Sequence, residues 1–403
     1  MTISEIVEAR IRKILDSRGS ETVEVEIFTK YGFGVSAAPS GASKGATEVK
    51  DFPTGGVDEG IRLFRKEIAG KLEGVESTDQ EGFDALLEEI DGTENFSRIG
   101  GNIAVALSLA NASASANESA LPLFRYLGGL NARMVVPLGN VVGGGKHAVN
   151  GTTIQEFLVA SHSDRVYEAI KTNALIHRRI REKAAKELDI PIGLGDEKAW
   201  VLPFDDEKVM ELVRSSADEI SDKTGYKVEL GMDLAASNFF ENGKYVYRKR
   251  KLAREEQVDF VEGIVKDRGF SVIEDPFDEN DFESFAELTK RVGDKALIVG
   301  DDIYTTNYAR LAKGIEEGTS NAILLKPNQV GTLTRLLRTW RLAKDHGMGI
   351  VVSHRSGETN DYFIAHLAVA LGADYIKTGT LGGERLAKLN ELVRIQERMG
   401  VNE

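Results

Sequence analysis

The sequence predicts an α/β protein in which a small N-terminal α+β unit, residues 1–130, precedes a larger β/α barrel, residues 131–403. Three observations predict it. The hydrophobic periodicity changes near residue 130. Beyond that point eight short β-branched runs alternate with helix-length amphipathic stretches, the pattern of βαβ units. Six of those runs end in an ionisable residue, as a barrel with its chemistry gathered at one mouth requires. The length, 403 residues, suits two domains or a large barrel with an appendage.

The N-terminal unit opens with two β-like runs, IVEARIRKIL and TVEVEIFTKYGFGVSAA. From Thr22 to Phe28 the second alternates with period two, which fits a half-buried antiparallel strand, and Tyr31-Gly32 is expected to turn it. The Gly/Ser/Ala segment PSGASKGATEVKD has loop chemistry. From about Asp58 to Leu127 the period is helical, with breaks expected near Gly82, Gly92 and Gly100. Ile103 to Ala116 is the most apolar stretch; it is too short and too rich in Ser and Asn to cross a bilayer, and its small residues read as a buried helix.

The eight barrel runs are VVPLGNVV, TIQEFLVA, KVELGMDLA, SVIEDPF, ALIVGDD, AILLKPN, GIVVSHR and YIKTG. No helix separates the first two, and two helical stretches, about 163–187 and 205–223, precede the third. The barrel is therefore expected to start irregularly.

Composition narrows the chemistry. Lys plus Arg is 51 against 64 Asp plus Glu, a formal net charge of −13, which disfavours nucleic acid and anionic membrane surfaces as partners. The absence of cysteine excludes disulfides, thiolate nucleophiles and Cys-ligated metals. The start shows no apolar signal segment, so a cytoplasmic protein is expected.

The six strand-end residues are Asp233, Glu274, Asp301, Lys326, His354 and Lys377, spaced 41, 27, 25, 28 and 23 residues apart. Any one alone is an ordinary turn or cap residue. Six at the same end of successive barrel strands converge on one site. Asp233, Glu274 and Asp301 repel one another unless a cation joins them, and an all-oxygen trio suits a hard divalent ion such as Mg2+. Zinc is disfavoured with no Cys and 6 His. Arg355 and Ser356 follow His354 and offer what a phosphate or carboxylate needs. GGGKHAVNG, residues 143–151, fails as a phosphate-binding loop, because Asn140 stands at the first glycine position and His147 where Ser or Thr is required. It reads instead as a loop carrying His147 over the mouth. Glu156 lies in an apolar strand run, where a carboxylate is costly unless it is paired or functional.

These residues sit in segments that resemble the enolase family over essentially the whole chain: DSRGSETVEVEI, PSGASKG, GGNIAVALSLA, IQEFLVA, GMDLAAS, IEDPF, LLKPNQVGTLT, VVSHRSGET, IKTG and ERLAKLNELVR. The resemblance implies an enolase-type barrel that begins ββαα and continues with βα units. It implies reversible dehydration of 2-phosphoglycerate to phosphoenolpyruvate in glycolysis and gluconeogenesis. By position, Asp233, Glu274 and Asp301 match the ligands of one Mg2+, and Ser43 matches a ligand of a second that arrives with substrate. Lys326 matches the base at C2, and Glu197 the acid at the C3 hydroxyl, with Glu156 and Gln155 beside the substrate. Lys377 matches the lysine near the substrate carboxylate, Arg355 and Ser356, beside His354, the phosphate binders, and His147 the loop histidine. The family also implies a homodimer or higher homo-oligomer. The metal ions and Lys377 are expected to disfavour the charged form of Lys326, which must be neutral to act. Two segments depart from the family pattern: GDEGG is GDEKA here, placing Lys198 and Ala199 after Glu197, and NGGSH is GGGKH. Two other readings are a superfamily relative that takes an α-proton from another carboxylate, and a non-catalytic binding paralogue. The intact SHRS and SGAS segments and metal ligands argue against both.

Overall fold

The computed structural model describes residues 4–41 and 45–400. Strands β1 (Ile6–Leu15), β2 (Glu21–Thr29) and β3 (Phe33–Ala37) form an antiparallel meander. On β2 the alternation works as expected: Val23, Val25 and Ile27 are fully buried. The turn at Tyr31-Gly32 is closed by the Thr29 N–H, which donates to the Gly32 carbonyl at 3.0 Å. Helices α1 (Gly56–Leu63), α2 (Gln80–Asp91), α3 (Gly101–Glu118) and α4 (Leu123–Gly128) follow; α1 and α3 pack on the sheet, and α2 and α4 pack on α3.

Two of the three expected breaks are real. Gly92 ends α2 in the left-handed region with φ 69°, and Gly100 immediately precedes α3. Gly82 is not a break. It lies in the first turn of α2, where its N–H donates to the capping Asp79 carboxylate at 2.9 Å, and a Cβ there would stand 2.3 Å from that carboxylate. The reversal falls at Gly74, φ 80°. Helix α3 is buried on nearly every face, as its small residues suggested. Its Ser108 hydroxyl accepts the Leu333 N–H of the barrel layer at 2.9 Å.

The barrel strands are β4 (Val136–Gly143), β5 (Glu156–Ser161), β6 (Val228–Asp233), β7 (Phe270–Glu274), β8 (Leu297–Gly300), β9 (Ala322–Leu325), β10 (Gly349–Ser353) and β11 (Tyr375–Lys377). The ring closes between β11 and β4. All neighbours are parallel except β5, which runs antiparallel to both β4 and β6. The β4–β5 link holds no crossover helix, so the chain can only return beside itself. Two helices, α5 (Val166–Glu187) and α6 (Asp206–Thr224), then separate β5 from β6. This is the irregular start. The outer layer continues with α7 (Arg254–Arg268), α8 (Phe282–Val292), α9 (Tyr308–Glu317), α10 (Leu333–Asp345), α11 (Phe363–Ala370) and α12 (Gly383–Arg398). Below the mouth the barrel is plugged by Leu138, Leu158, Val272, Val299, Leu324 and Val351.

The sequence reading passed over one hairpin sheet, Phe240–Glu241, Lys244–Val246 and Lys251–Leu252. It turns at Asn242-Gly243, with φ 50° and 77°. It also passed over the basic run Arg248 to Lys251. Those charges are spent locally: Lys249 pairs with Asp205, Arg250 with Glu207, and Arg248 donates to the carbonyls of Asn150 and Gly151. No helix of the described residues is long and apolar enough to cross a membrane.

Gly34 is where β3 and α3 come closest: a Cβ there would stand 2.0 Å from the Ala110 carbonyl oxygen. Gly34→Ala is expected to lower stability by about 2 kcal/mol through overpacking, read as a lower urea midpoint with an unchanged slope.

Candidate active site

The mouth collects side chains from the ends of seven of the eight strands, β5 to β11. β6 and β7 finish in Asp233 and Glu274, and the residues just after β8, β9 and β10 are Asp301, Lys326 and His354. β11 finishes in Lys377. Because β5 runs the other way, its first residue, Glu156, reaches the same mouth, opposite Gly143 on one side and Asp233 on the other. His147 and Glu197 enter from loops, and all of these residues except Glu274 line one cavity together with Gln155, Arg355 and Ser356. Of the sequence-predicted set, Ser43 lies outside the described residues.

The centre is an ammonium among carboxylates. Lys377 Nζ lies 2.6 Å from Glu274, 3.1 Å from Asp233 and 3.4 Å from Glu156. Burial opposes its charge, yet Asp233, Glu156 and Glu274 hold it well above the usual lysine range. Burial, and then the charge of Asp233, pushes Glu274 well up; burial, and then Glu197, does the same to Glu156. Lys326 donates to Asp301, and Gln329 Nε2 donates to the other Asp301 oxygen at 3.1 Å.

The protein's own side chains hold Lys326 charged. Burial, Arg355 and Lys377 all disfavour its charge, but contact with Asp301 outweighs them and raises it. Asp301 responds in kind: burial would raise it, and the Lys326 ammonium brings it below the usual range.

The expected metal trio shares the mouth, but Asp233 and Glu274 face Lys377 while Asp301 faces Lys326. Among the described residues, Asp275 with Asp301 and Asp302, and His147 with Glu156 and Glu197, bring three ligand atoms each within 4.8 Å of one another. A divalent ion nevertheless fits. Glu274 Oε1 and Glu156 Oε2 are buried without hydrogen-bond partners, and the donors available are carboxylate oxygens.

On the opposite wall Glu197 Oε2 accepts from Asn140 Nδ2 at 3.1 Å. Its Oε1 faces His354 Nε2 at 3.4 Å and His147 Nδ1 at 3.7 Å. Arg385, fully buried, places a guanidinium N–H 2.8 Å from His354 Nδ1. A guanidinium can only donate, so Nδ1 accepts and Nε2 carries the hydrogen toward Glu197. Burial lowers His354 to about 4. Burial would raise Glu197, and positive His354 and His147 would hold it well below the carboxylate range. With His354 neutral near pH 7, that pull weakens.

Arg355 is clasped by the N-terminal unit. Its Nη1 and Nη2 lie 2.9 and 3.2 Å from the Glu48 oxygens, and Nη1 also donates to Asn328 at 3.1 Å. Gln155 Nε2 donates to Asp233 at 3.2 Å. The Ser356 carbonyl accepts from Arg385 at 2.7 Å. Sequence reading did not single out Glu48, Asn140, Asp275, Asp302 or Arg385. The charges within IEDPF and GDD were visible signals for two of them; the partners of Glu48, Asn140 and Arg385 exist only in three dimensions.

Comparison with known proteins decides the family. A profile described as enolase, N-terminal domain, matches residues 6–127, and one described as enolase, C-terminal TIM barrel domain, matches residues 131–403. The chain belongs to the enolase family. It is 51% identical to the enolase of Picrophilus torridus over 396 residues, 98% of this chain and 99% of that protein. It is 48% identical to the enolase of Thermoplasma acidophilum over 393 residues, and 49% identical to that of Methanosphaera stadtmanae over 404. Membership makes the chain a lyase, a phosphopyruvate hydratase of glycolysis, acting on a phosphorylated acid with a divalent metal.

The family's GDEGG reads GDEKA in this enolase, and the backbone shows what the first glycine serves. Lys198 is held at φ 60°, a left-handed conformation that costs a side-chain-bearing residue about 1–2 kcal/mol. Its stem lies against Gly382, where a Cβ would stand 2.8 Å from Lys198 Cγ, and it does not line the mouth. Lys198→Gly should therefore relieve strain and raise the melting temperature, while changing the dehydration rate by less than about tenfold. A lower melting temperature or a hundredfold rate loss would contradict this placement.

Asp302 supplies a pH test. Burial, and then the Asp301 charge, pushes its carboxyl up to about 7 from the ordinary 3.8. Between those values the folded chain keeps a proton that the unfolded chain has released, so stability falls as pH rises through the window. Asp302→Asn removes this penalty. In EDTA its gain in urea midpoint should be larger at pH 8 than at pH 5.

Proposed function

We propose that this enolase dehydrates 2-phosphoglycerate with Lys326 as the base at C2 and Glu197 as the acid at the C3 hydroxyl. The observation that carries the reading is the shared mouth: Lys326, Glu197, Lys377, Asp233 and Asp301 line one cavity together with Arg355 and Ser356, and Glu274 joins them through its 2.6 Å contact with Lys377. Asp233, Glu274 and Asp301 would hold a Mg2+ ion, which supplies positive charge beside the substrate carboxylate as that group gains a second negative charge. A second ion, arriving with substrate, would use Ser43.

Lys326 can take the C2 proton only when neutral. Of the groups around it, Asp301 and Glu274 favour the charged form, while burial, Arg355 and Lys377 oppose it. Once the Asp301 charge is shared with a cation, the balance turns toward the free amine. Lys377, fixed by three carboxylates, stays charged and faces the substrate carboxylate. Arg355, Ser356 and His354 hold the phosphate. Glu156 and Gln155 line the substrate, and His147 closes over it. Glu197 gives its proton to the departing hydroxyl, which leaves as water. His354 stays neutral beside it and so does not take that proton first.

The same proposal includes a homodimer or larger homo-oligomer, a cytoplasmic location, and a division into residues 1–130 and 131–403, which rests on the separate small sheet and the closed barrel.

Purified protein given 2-phosphoglycerate and Mg2+ should produce the ultraviolet absorbance of phosphoenolpyruvate, and EDTA should abolish it. Lys326→Ala should lose C2 proton exchange with deuterated solvent by a factor of about 10²–10⁴ while still binding substrate. Exchange retained in that variant would move the base elsewhere, to Lys377 first.

A further inference from the structure

The turn that carries Glu197 is held from behind by a histidine of the barrel's outer layer. We propose that His177, on α5, is a positioning residue for the acid step and acts through the backbone of Lys198. The inference rests on the reading of Glu197 as the acid.

His177 is 2% exposed and does not line the mouth. Its Nε2 lies 2.9 Å from the Lys198 carbonyl oxygen. A carbonyl can only accept, so the ring carries its hydrogen on Nε2. Burial lowers the His177 pKa, so the ring is neutral near pH 7. The contact is reciprocal. Trp200, two residues beyond Lys198, donates its indole N–H to the His177 carbonyl at 2.8 Å, and the two rings lie 4.8 Å apart, tilted by 31°. Side chain 177 thus holds backbone 198, while side chain 200 holds backbone 177.

The clamp has work to do because of what lies between. The turn is closed by the Lys198 N–H on Gly195 O at 3.0 Å and the Gly195 N–H on Ala199 O at 2.9 Å. Inside it Lys198 sits at φ 60°. A lysine there is strained, and relaxing to the ordinary negative φ means rotating the peptide that joins it to Glu197. Such a rotation swings Glu197 off Asn140 and away from His354 and His147. The His177 hydrogen bond opposes that relaxation. Nothing in this network touches Lys326, which is fixed by Asp301 across the mouth. His177 should therefore matter for loss of the C3 hydroxyl and not for exchange at C2.

The experiment measures both steps on the metal-loaded enzyme, with C2 exchange read in deuterated water and dehydration read by phosphoenolpyruvate absorbance. Glu197→Gln serves as the reference. His177→Phe keeps a ring against Trp200 and deletes the donor; His177→Gln restores an amide N–H after the same number of bonds. We expect His177→Phe to lose about 10²-fold in dehydration while exchange stays within about twofold, and His177→Gln to recover most of the loss. Trp emission in a Trp340→Phe background reports whether the Trp200 environment survives, and His177→Asn, whose amide is too short to reach Lys198, replaces the phenylalanine variant if that one does not fold. If Glu197→Gln separates the two steps and His177→Phe leaves their ratio unchanged, the positioning role is overturned and the acid assignment stands. If both rates fall together and the glutamine does not restore them, His177 is structural only. If Glu197→Gln itself fails to separate the steps, the acid reading falls and takes this inference with it.

Discussion

Lys377 places one ammonium within 3.4 Å of three carboxylates that the closed barrel has taken out of water. Remove that charge and Glu156, Asp233 and Glu274 are left to repel one another in a low-dielectric cavity, a loss of about 3–5 kcal/mol for a broken buried pair. Yet one lysine does not balance them. Glu274 and Glu156 are still pushed toward protonation, and each keeps an oxygen without a hydrogen-bond partner. The mouth is built short of positive charge. That deficit is what gives a site in an acidic protein its affinity for a divalent cation, and through the cation for an anionic substrate.

The fold delivers these charges by direction as much as by position. Parallel strands bring their last residues to the mouth, which accounts for Asp233, Glu274 and Lys377. A fully parallel barrel would have sent the first residue of β5 to the far end. Reversing β5 lets its opening residue, Glu156, join them in register with Asp233. The apolar plug beneath, with Leu138, Leu158 and Val272, keeps water from the floor and so strengthens every charge–charge term above it.

Most of this was legible because strand ends are marked twice, by β-branched runs and by the ionisable residue that stops them. The sense of β5 was not, since hydrophobic pattern says nothing of direction; the absent helix before it was the clue. Helix α3 lost its period because it has no solvent face, and was read from its small residues instead. Gly82 misled because a glycine that clears an N-cap looks the same in sequence as one that ends a helix. The Asn242-Gly243 hairpin was plainly written and passed over. The state of Lys326 was beyond reach: the sequence shows that cations will gather near it, but only the packed structure puts Asp301 in contact with it.

The wall that carries Arg355 belongs to neither unit alone. His354 to Thr359 is held from the barrel side by Arg385 on the carbonyls of Arg355 and Ser356, and by Lys388 on Glu358 at 2.6 Å. From the other side Ser40 and Gly357 exchange backbone hydrogen bonds at 2.7 and 2.9 Å, and the Ser17 N–H donates to the Glu358 carbonyl at 2.7 Å. Glu48 then takes the Arg355 guanidinium with both oxygens. A guanidinium so buried would swing toward the carboxylates of the mouth if nothing fixed it, and Asp301 already feels its charge. The bidentate contact sets its plane, as such pairs do. Glu48 is thus a carboxylate that the barrel cannot supply, and the N-terminal unit is part of the site's chemistry as well as its cover.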